Sequence, residues 1–349
     1  MTDASTSSIQ PAEIQAPPSA GSGRRAASSP AARAWRILKR DRPTLLAAAV
    51  LFLIVLSSLA APLYATYVSG TDPFRSSLSA RIVIDGQRVK VMQASTEGLG
   101  LGVTPIGPTW GPQYLLGADT QGRDVAARLL YGGRNSLLIA AASTAICLFL
   151  AAIVGISAGF FGGWVDKVLS RILDILWAFP VYLLAISLSI VFISQGIVIG
   201  PIEIHADSLL LPIFIIGIIY VPYVARPVRG RVLALKESEF VLAARGLGIP
   251  AWRILLHDIL PNVSTMLIVF VPLMMGLNII IESSLSFLSI GVQAPDASWG
   301  TIIQDGQTLL YSRPAVALAP GIAIVLTVLA LNVLGDSLRD ALDPRTKLV

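Results

Sequence analysis

Glu282 is an acidic residue set in an otherwise apolar stretch of more than twenty residues, and Asn278 stands one helical turn before it. Charged groups in such surroundings are costly, so they face a water-lined path or pair with a polar group on a neighbouring helix. Both readings stand at this stage: a carboxylate beside a solute path, or an interhelical tie. Asp174 and Trp177 pose the same choice in an earlier apolar stretch, where packing is the favoured reading. Other chemistries find no support. His205 and His257 fall on opposite sides of the expected membrane, so no metal site is expected. Gly98, Gly100 and Gly102 precede no helical pattern and no lysine-serine pair, so they form no phosphate loop. No Ser/His/Asp or Cys/His set shares a membrane depth, and no catalytic residue is expected. Cys147 lies alone in an apolar run.

These residues need an apolar frame, and the composition supplies one. The chain has 349 residues, of which 54% are hydrophobic and 13% charged, and its mean hydropathy is +0.73. Soluble domains carry about 25% charged residues. The shortage places much of the surface against lipid. A net charge of +5 reflects topology rather than nucleic-acid binding.

Six long apolar stretches, at 44–67, 136–160, 168–195, 208–227, 265–290 and 315–335, each reach the length of a helical span. Lipid offers no hydrogen bonds to the backbone, so helices are expected. The fold class read from this is an all-α membrane protein, a six-helix bundle with an extracytoplasmic loop between the first and second spans. Lys and Arg concentrate in the segments that are cytoplasmic when both termini lie inside. Residues 1–43 read as a disordered and then basic cytoplasmic segment that meets membrane lipid. Residues 44–67 are the first span, 68–134 the outer loop, 135–335 the five-helix core and 336–349 a cytoplasmic tail. Within the outer loop, alternating β-branched residues around Asp85-Gly86 predict a hairpin.

The inner segment 228–262 is unusually long. Glu239 sits near the start of a helix whose dipole favours it. Gly246, Gly248 and Pro250 interrupt that helix, Ala251 to Leu260 restart it, and Pro261 stands at the fifth span. Small residues on a protruding helix admit another protein surface.

This segment resembles the cytoplasmic "EAA" loop of bacterial ATP-binding-cassette importer permeases. Ala243, Ala244, Gly248, Leu260 and Pro261 fall on its pattern at the right spacing. Leu242 takes the place of the leading glutamate and Asp258 that of the isoleucine, with Glu239 offering an acidic group one turn earlier. Three further segments resemble the dipeptide/oligopeptide branch. One is Gly117-Ala-Asp119-Thr-Gln-Gly122-Arg123-Asp124, continuing to Arg134. The others run from Glu282 to Gly300 and from Asn332 to Arg345, with Ala319-Pro320-Gly321 beside the last.

The resemblance implies a non-enzymatic translocation subunit in a bacterial inner membrane, with no cofactor of its own. It also implies a homologous second permease chain, two ATP-binding subunits that hold ATP and magnesium, and an extracytoplasmic solute-binding protein. The loop becomes a coupling helix seated in an ATPase groove, so Gly248→Glu or Ala244→Arg is expected to uncouple hydrolysis from transport. On the solute-path reading Asn278 and Glu282 line the path and Glu282 meets a peptide's amino group; on the other reading they only tie helices together. Nickel, heme or glutathione are alternative cargoes, and a secondary transporter is the rival from another class.

Overall fold

A computed structural model of the chain describes residues 39, 41–84, 86–95, 102–195, 197–199, 202–205 and 208–342. The expectations for residues 1–38 and for Asp343 and Arg345 lie outside them.

The first helix, α1, is Arg42–Leu59, opened by Asp41, whose carboxylate accepts from the Thr44 N–H at 3.3 Å. A short helix Ala61–Leu63 and a π-turn Tyr64–Ser69 extend it to Gly70. On α1, Leu46, Phe52, Leu53 and Leu59 are exposed, as a lipid-facing helix requires. The outer loop forms β1 (Arg81–Ile84), β2 (Gln87–Lys90), β3 (Met92–Ala94) and β4 (Val103–Pro105). β1 and β2 pair antiparallel with Ile84 opposite Gln87, which leaves a two-residue turn at 85–86. Gly86 takes a positive φ there, and Asp85 lies outside the described residues. Ile82, Val91, Ile106, Tyr114 and Ala118 form a small apolar centre beneath the hairpin.

The second helix, α2, is Val125–Phe161, so Arg128, Tyr131 and Arg134 stand on its first turns rather than in the loop. It is the axis of the bundle. At Gly155 and Gly159 a Cβ would meet the Ala225 and Arg229 carbonyl oxygens at 2.7 and 2.9 Å, so only glycine admits this approach of helices.

The stretch 168–195 is not one straight span. It divides into α3 (Gly163–Ala178) and α4 (Val181–Gln195), which meet at 89°. Pro180 explains the break: it lacks an N–H and forces Phe179 into extended backbone (φ −89°, ψ 139°). β5 (Ile197–Ile199) and β6 (Ile202–Ile204) follow as an antiparallel hairpin. The next span is also bent, by 42°, between α5 (Leu210–Ile219) and α6 (Val221–Lys236), with Pro222 in the opening turn of α6. Because α6 runs to Lys236, Arg229 and Arg231 are helical, and the inner loop starts later than 228.

A short helix, α7 (Glu239–Gly246), precedes α8 (Ala251–Phe287). Pro261 does not divide α8. A π-turn over Leu255–Ile259 lies just before it, and widened turns of this kind take up such a ring. Ala251 therefore begins the same rod that carries Glu282. The chain ends in α9 (Trp299–Gly306) and α10 (Ala315–Leu342). Among the described residues, α1, α2, α8 and α10 are long and apolar enough to cross a membrane, and each bent pair adds a span if it crosses as one.

Candidate functional site

The coupling segment is built from opposing demands. Val241 and Ala244 are buried and join Phe160, Leu173, Val228, Val232 and Ile254 in the inner core. Arg245 lies over the Phe160 ring at 5.3 Å. The other side of α7 faces away from the bundle. Glu239 and Ala243 are exposed, as are Phe240, Leu242, Leu247 and Trp252, with Leu247 at 80%. Gly248 closes α7 at φ +74° with open space around the position of a Cβ. Its role inside the chain is the left-handed turn. Leu260 and Pro261 are exposed between two and three turns into α8. Of the sequence-marked set, Ala244 is therefore turned inward, and a large residue there strikes the chain's own packing first. Sequence reading did not single out Leu247 and Trp252; an apolar residue flanking a helix-ending glycine was the available signal.

Glu282 and Asn278 are both fully buried. The Ser286 hydroxyl donates to one Glu282 carboxylate oxygen at 2.7 Å and Ser283 to the other at 3.3 Å. Ser136 of α2 and Ser298, at the head of α9, place their hydroxyls beside the same carboxyl. Ser136 accepts from the Trp299 N–H at 3.1 Å, which leaves its own proton for Glu282. Asn278 donates to Ser143 at 3.0 Å and to Thr144 at 2.9 Å on α2. Every one of these partners belongs to the chain. The interhelical tie is the reading these bonds support, since neither side chain presents an atom to open space. Asp174 and Trp177 also meet a helix: Arg226 of α6 pairs with Asp174 at 2.9 Å and stands over the Trp177 ring at 5.7 Å. A bidentate pair of Arg229 with Asp166, at 2.5 and 2.7 Å, repeats the α3–α6 link.

The motif before α2 forms a charge cluster. Asp119 accepts from the Arg123 side chain at 2.7 Å and faces Arg128 at 3.3 Å. Asp305 of α9 binds the same two guanidiniums at 2.8 and 2.9 Å. Burial pushes the Asp305 carboxyl up from its ordinary range, and the two arginines oppose that rise. Asp124 caps α2 through the Ala126 and Ala127 N–H groups and also accepts from the Tyr114 N–H at 2.9 Å. Its carboxyl too is pushed up by burial, against the pull of these N–H donors. Gly117 and Gly122 take positive φ where a Cβ would meet carbonyl oxygens at 2.8 and 2.7 Å. Gly117, Asp119, Gly122, Arg123 and Asp124 thus stand together in the turn that leads into α2. Asp305 was missed, because it lies far along the chain with no local pattern around it.

Residues 151–348 match the family described as the binding-protein-dependent transport system inner membrane component. The chain belongs to this family. It is a permease subunit of an ATP-binding-cassette importer, a multi-pass protein of the inner membrane. Residues 29–78 of the permease also match the N-terminal TM domain of oligopeptide transport permease C. The glutathione transport system permease protein of Pectobacterium atrosepticum is 38% identical to it over 67% of this chain and 73% of its own length. The dipeptide transport system permease protein of Alkalihalophilus pseudofirmus is 39% identical over the same shares. A putative peptide transport system permease of Brucella abortus is 39% identical over 68% of this chain and 76% of its own. Among solved structures, an inward-facing methionine ABC transporter is similar at a TM-score of 0.49 and 18% identity, over 61% of this chain and 95% of that one.

Proposed function

We propose that the permease forms half of a translocation path for di- or oligopeptides and couples that path to partner ATPases. The observation that carries this is the exposed apolar side of α7 and its turn, Phe240, Leu242, Leu247 and Trp252, standing on the inner core through Val241 and Ala244. In this reading both termini and α7 are cytoplasmic, the six spans cross as four straight helices and two bent pairs, and the loop 68–134 is outside. A homologous permease completes the path, two ATP-binding subunits hold the ATP and hydrolyse it, and an extracytoplasmic solute-binding protein delivers the cargo. ATPase closure pushes on α7. Because α8 begins two residues after Ile249 and runs unbroken to Phe287, the push reaches the depth of Asn278 and Glu282 along one rod. Glu282 acts there as a positioning group that holds α2, α8 and α9 in one arrangement.

The relatives' names keep glutathione open as a cargo beside dipeptides. The test is reconstitution of the permease with its partner permease, ATPases and solute-binding protein in liposomes. ATP-dependent uptake of labelled dipeptide, exceeding that of glutathione, is the expected result. Uptake driven by an ion gradient without ATP would overturn the importer reading and favour a secondary transporter.

A further inference from the structure

The β1–β2 hairpin carries a feature that folding alone does not explain. Its register sets Arg81 opposite Lys90 and Val83 opposite Arg88. Residues two apart on a strand share a face, so Arg81, Val83, Arg88 and Lys90 all project from one side. All four are exposed, while Ile82 on the other side is buried against Val91 and Tyr114. Like charges directly opposite one another on a strand pair are destabilising. No carboxylate among the described residues pairs with any of these three cations. A hairpin selected for stability alone would place a threonine or a glutamate opposite Arg81.

A second observation adjoins the first. Ile82, Val83 and Ile84 line one wall of a groove of about 310 Å³, with Thr109, Gly111, Pro112 and Gln113 on the other. Trp110 stands between Thr109 and Gly111, 78% exposed, with φ at +54°. A bulky residue in left-handed backbone is a true outlier, and such strain persists where the surroundings impose it. The segment is held on both sides: Thr109 donates to the Gln113 and Tyr114 carbonyls, and Arg313 donates to Pro105 at 2.7 Å. The strain thus presents an indole outward from a fixed base. Tryptophan and arginine are enriched at protein-binding centres; Trp110 adjoins this groove in the chain, and Arg88 stands across from Val83 of its wall.

We propose that the outward face of the hairpin, with Trp110 and its groove, docks an acidic face of the extracytoplasmic solute-binding protein. The proposal rests on the importer reading, which places this loop outside. The three cations, without a carboxylate partner among the described residues, select an anionic partner and speed its approach. The groove walls, Thr109, Gly111 and Gln113 among them, offer polar groups to a protein segment. A headgroup layer has no such need of shape.

The test uses the complete importer in liposomes with the solute-binding protein that restores uptake in the reconstitution above. The variants are the triple Arg81→Glu, Arg88→Glu, Lys90→Glu and, separately, Trp110→Ala. Both leave the apolar centre of the loop intact, and ATPase activity without binding protein reports correct assembly. Each is expected to raise the concentration of binding protein needed for half-maximal stimulation by about tenfold or more. In the triple variant the salt dependence of stimulation flattens as well. Half-saturation and salt response equal to wild type overturn the proposal. A difference that appears only in bilayers rich in anionic lipid, and vanishes in neutral ones, assigns the face to headgroups and overturns it too. Failure of the wild type to respond to any binding protein removes the importer reading itself, a result visible before any variant is made.

Discussion

Asp119 takes charge from two arginines while fully buried, and Asp305 completes the set from another helix. Removing one member of a buried pair leaves an uncompensated charge and costs about 3–5 kcal/mol. Asp119→Ala is therefore expected to lower the thermal unfolding midpoint of the detergent-solubilised permease sharply. Adding Arg123→Ala should cost less than the two changes summed, because the stranded charge goes with it. An additive pair would show that the cluster is not acting as a unit. Glu282 makes a sharper case. If it ties helices, Glu282→Gln should loosen α9 and lower stability while half-saturation for peptide stays at the wild-type value. A selective rise in half-saturation with unchanged stability would restore the solute-contact reading. At this scale the sequence shows Gly117 through Asp124 as one short run, and the structure folds that run into one turn. The sequence could not reveal partners such as Asp305, Ser136 and Ser298, which only the packing of helices brings near.

Among the elements, α7 was legible because Gly246, Gly248 and Pro250 interrupt a helical pattern in plain view. Which side of so short a helix faces inward was not legible, since Ala243 and Ala244 look alike in sequence. The structure separates them: Ala243 is exposed, and Ala244 is buried beside Val241. Leu247→Glu is expected to abolish co-purification of the ATPases and leave unfolding within about 0.5 kcal/mol of wild type, because an exposed position carries little packing. Ala244→Arg is expected to do the reverse in order, losing stability first and coupling as a consequence. Unfolding curves and ATPase recovery measured together distinguish the two. Ala244→Arg with full stability and lost ATPase would show that both alanines face the partner. The bent elements were harder to read. An apolar window passes over Pro180 without registering that its ring turns the chain by 89°, so α3 and α4 looked like one span.

For the molecule as a whole, each of the six apolar stretches is mainly helical among the described residues, because lipid leaves the backbone no other way to satisfy its hydrogen bonds, while α9 lies outside them all. Hydropathy did not set the ends. Helices α2, α6 and α8 each run well past their apolar stretches into basic or polar sequence, where packing and caps decide the boundary. Orientation is the remaining property of the whole, and the positive-inside pattern predicts that α7 and the β1–β2 hairpin lie on opposite sides. The chain offers a clean way to measure this. Cys147 is its sole cysteine and is fully buried in α2, so a membrane-impermeant maleimide should leave the wild type unlabelled. Arg88→Cys and Leu247→Cys each place a thiol at an exposed position without disturbing a core. In sealed right-side-out vesicles, Arg88→Cys should label at once and Leu247→Cys only after the membrane is opened. Labelling of both from one side would require the number of crossings between them to be even. One of the two bent pairs would then be a re-entrant element rather than a span, and α3–α4, with its right-angle turn and an α4 only about 22 Å long, is the pair that would give way.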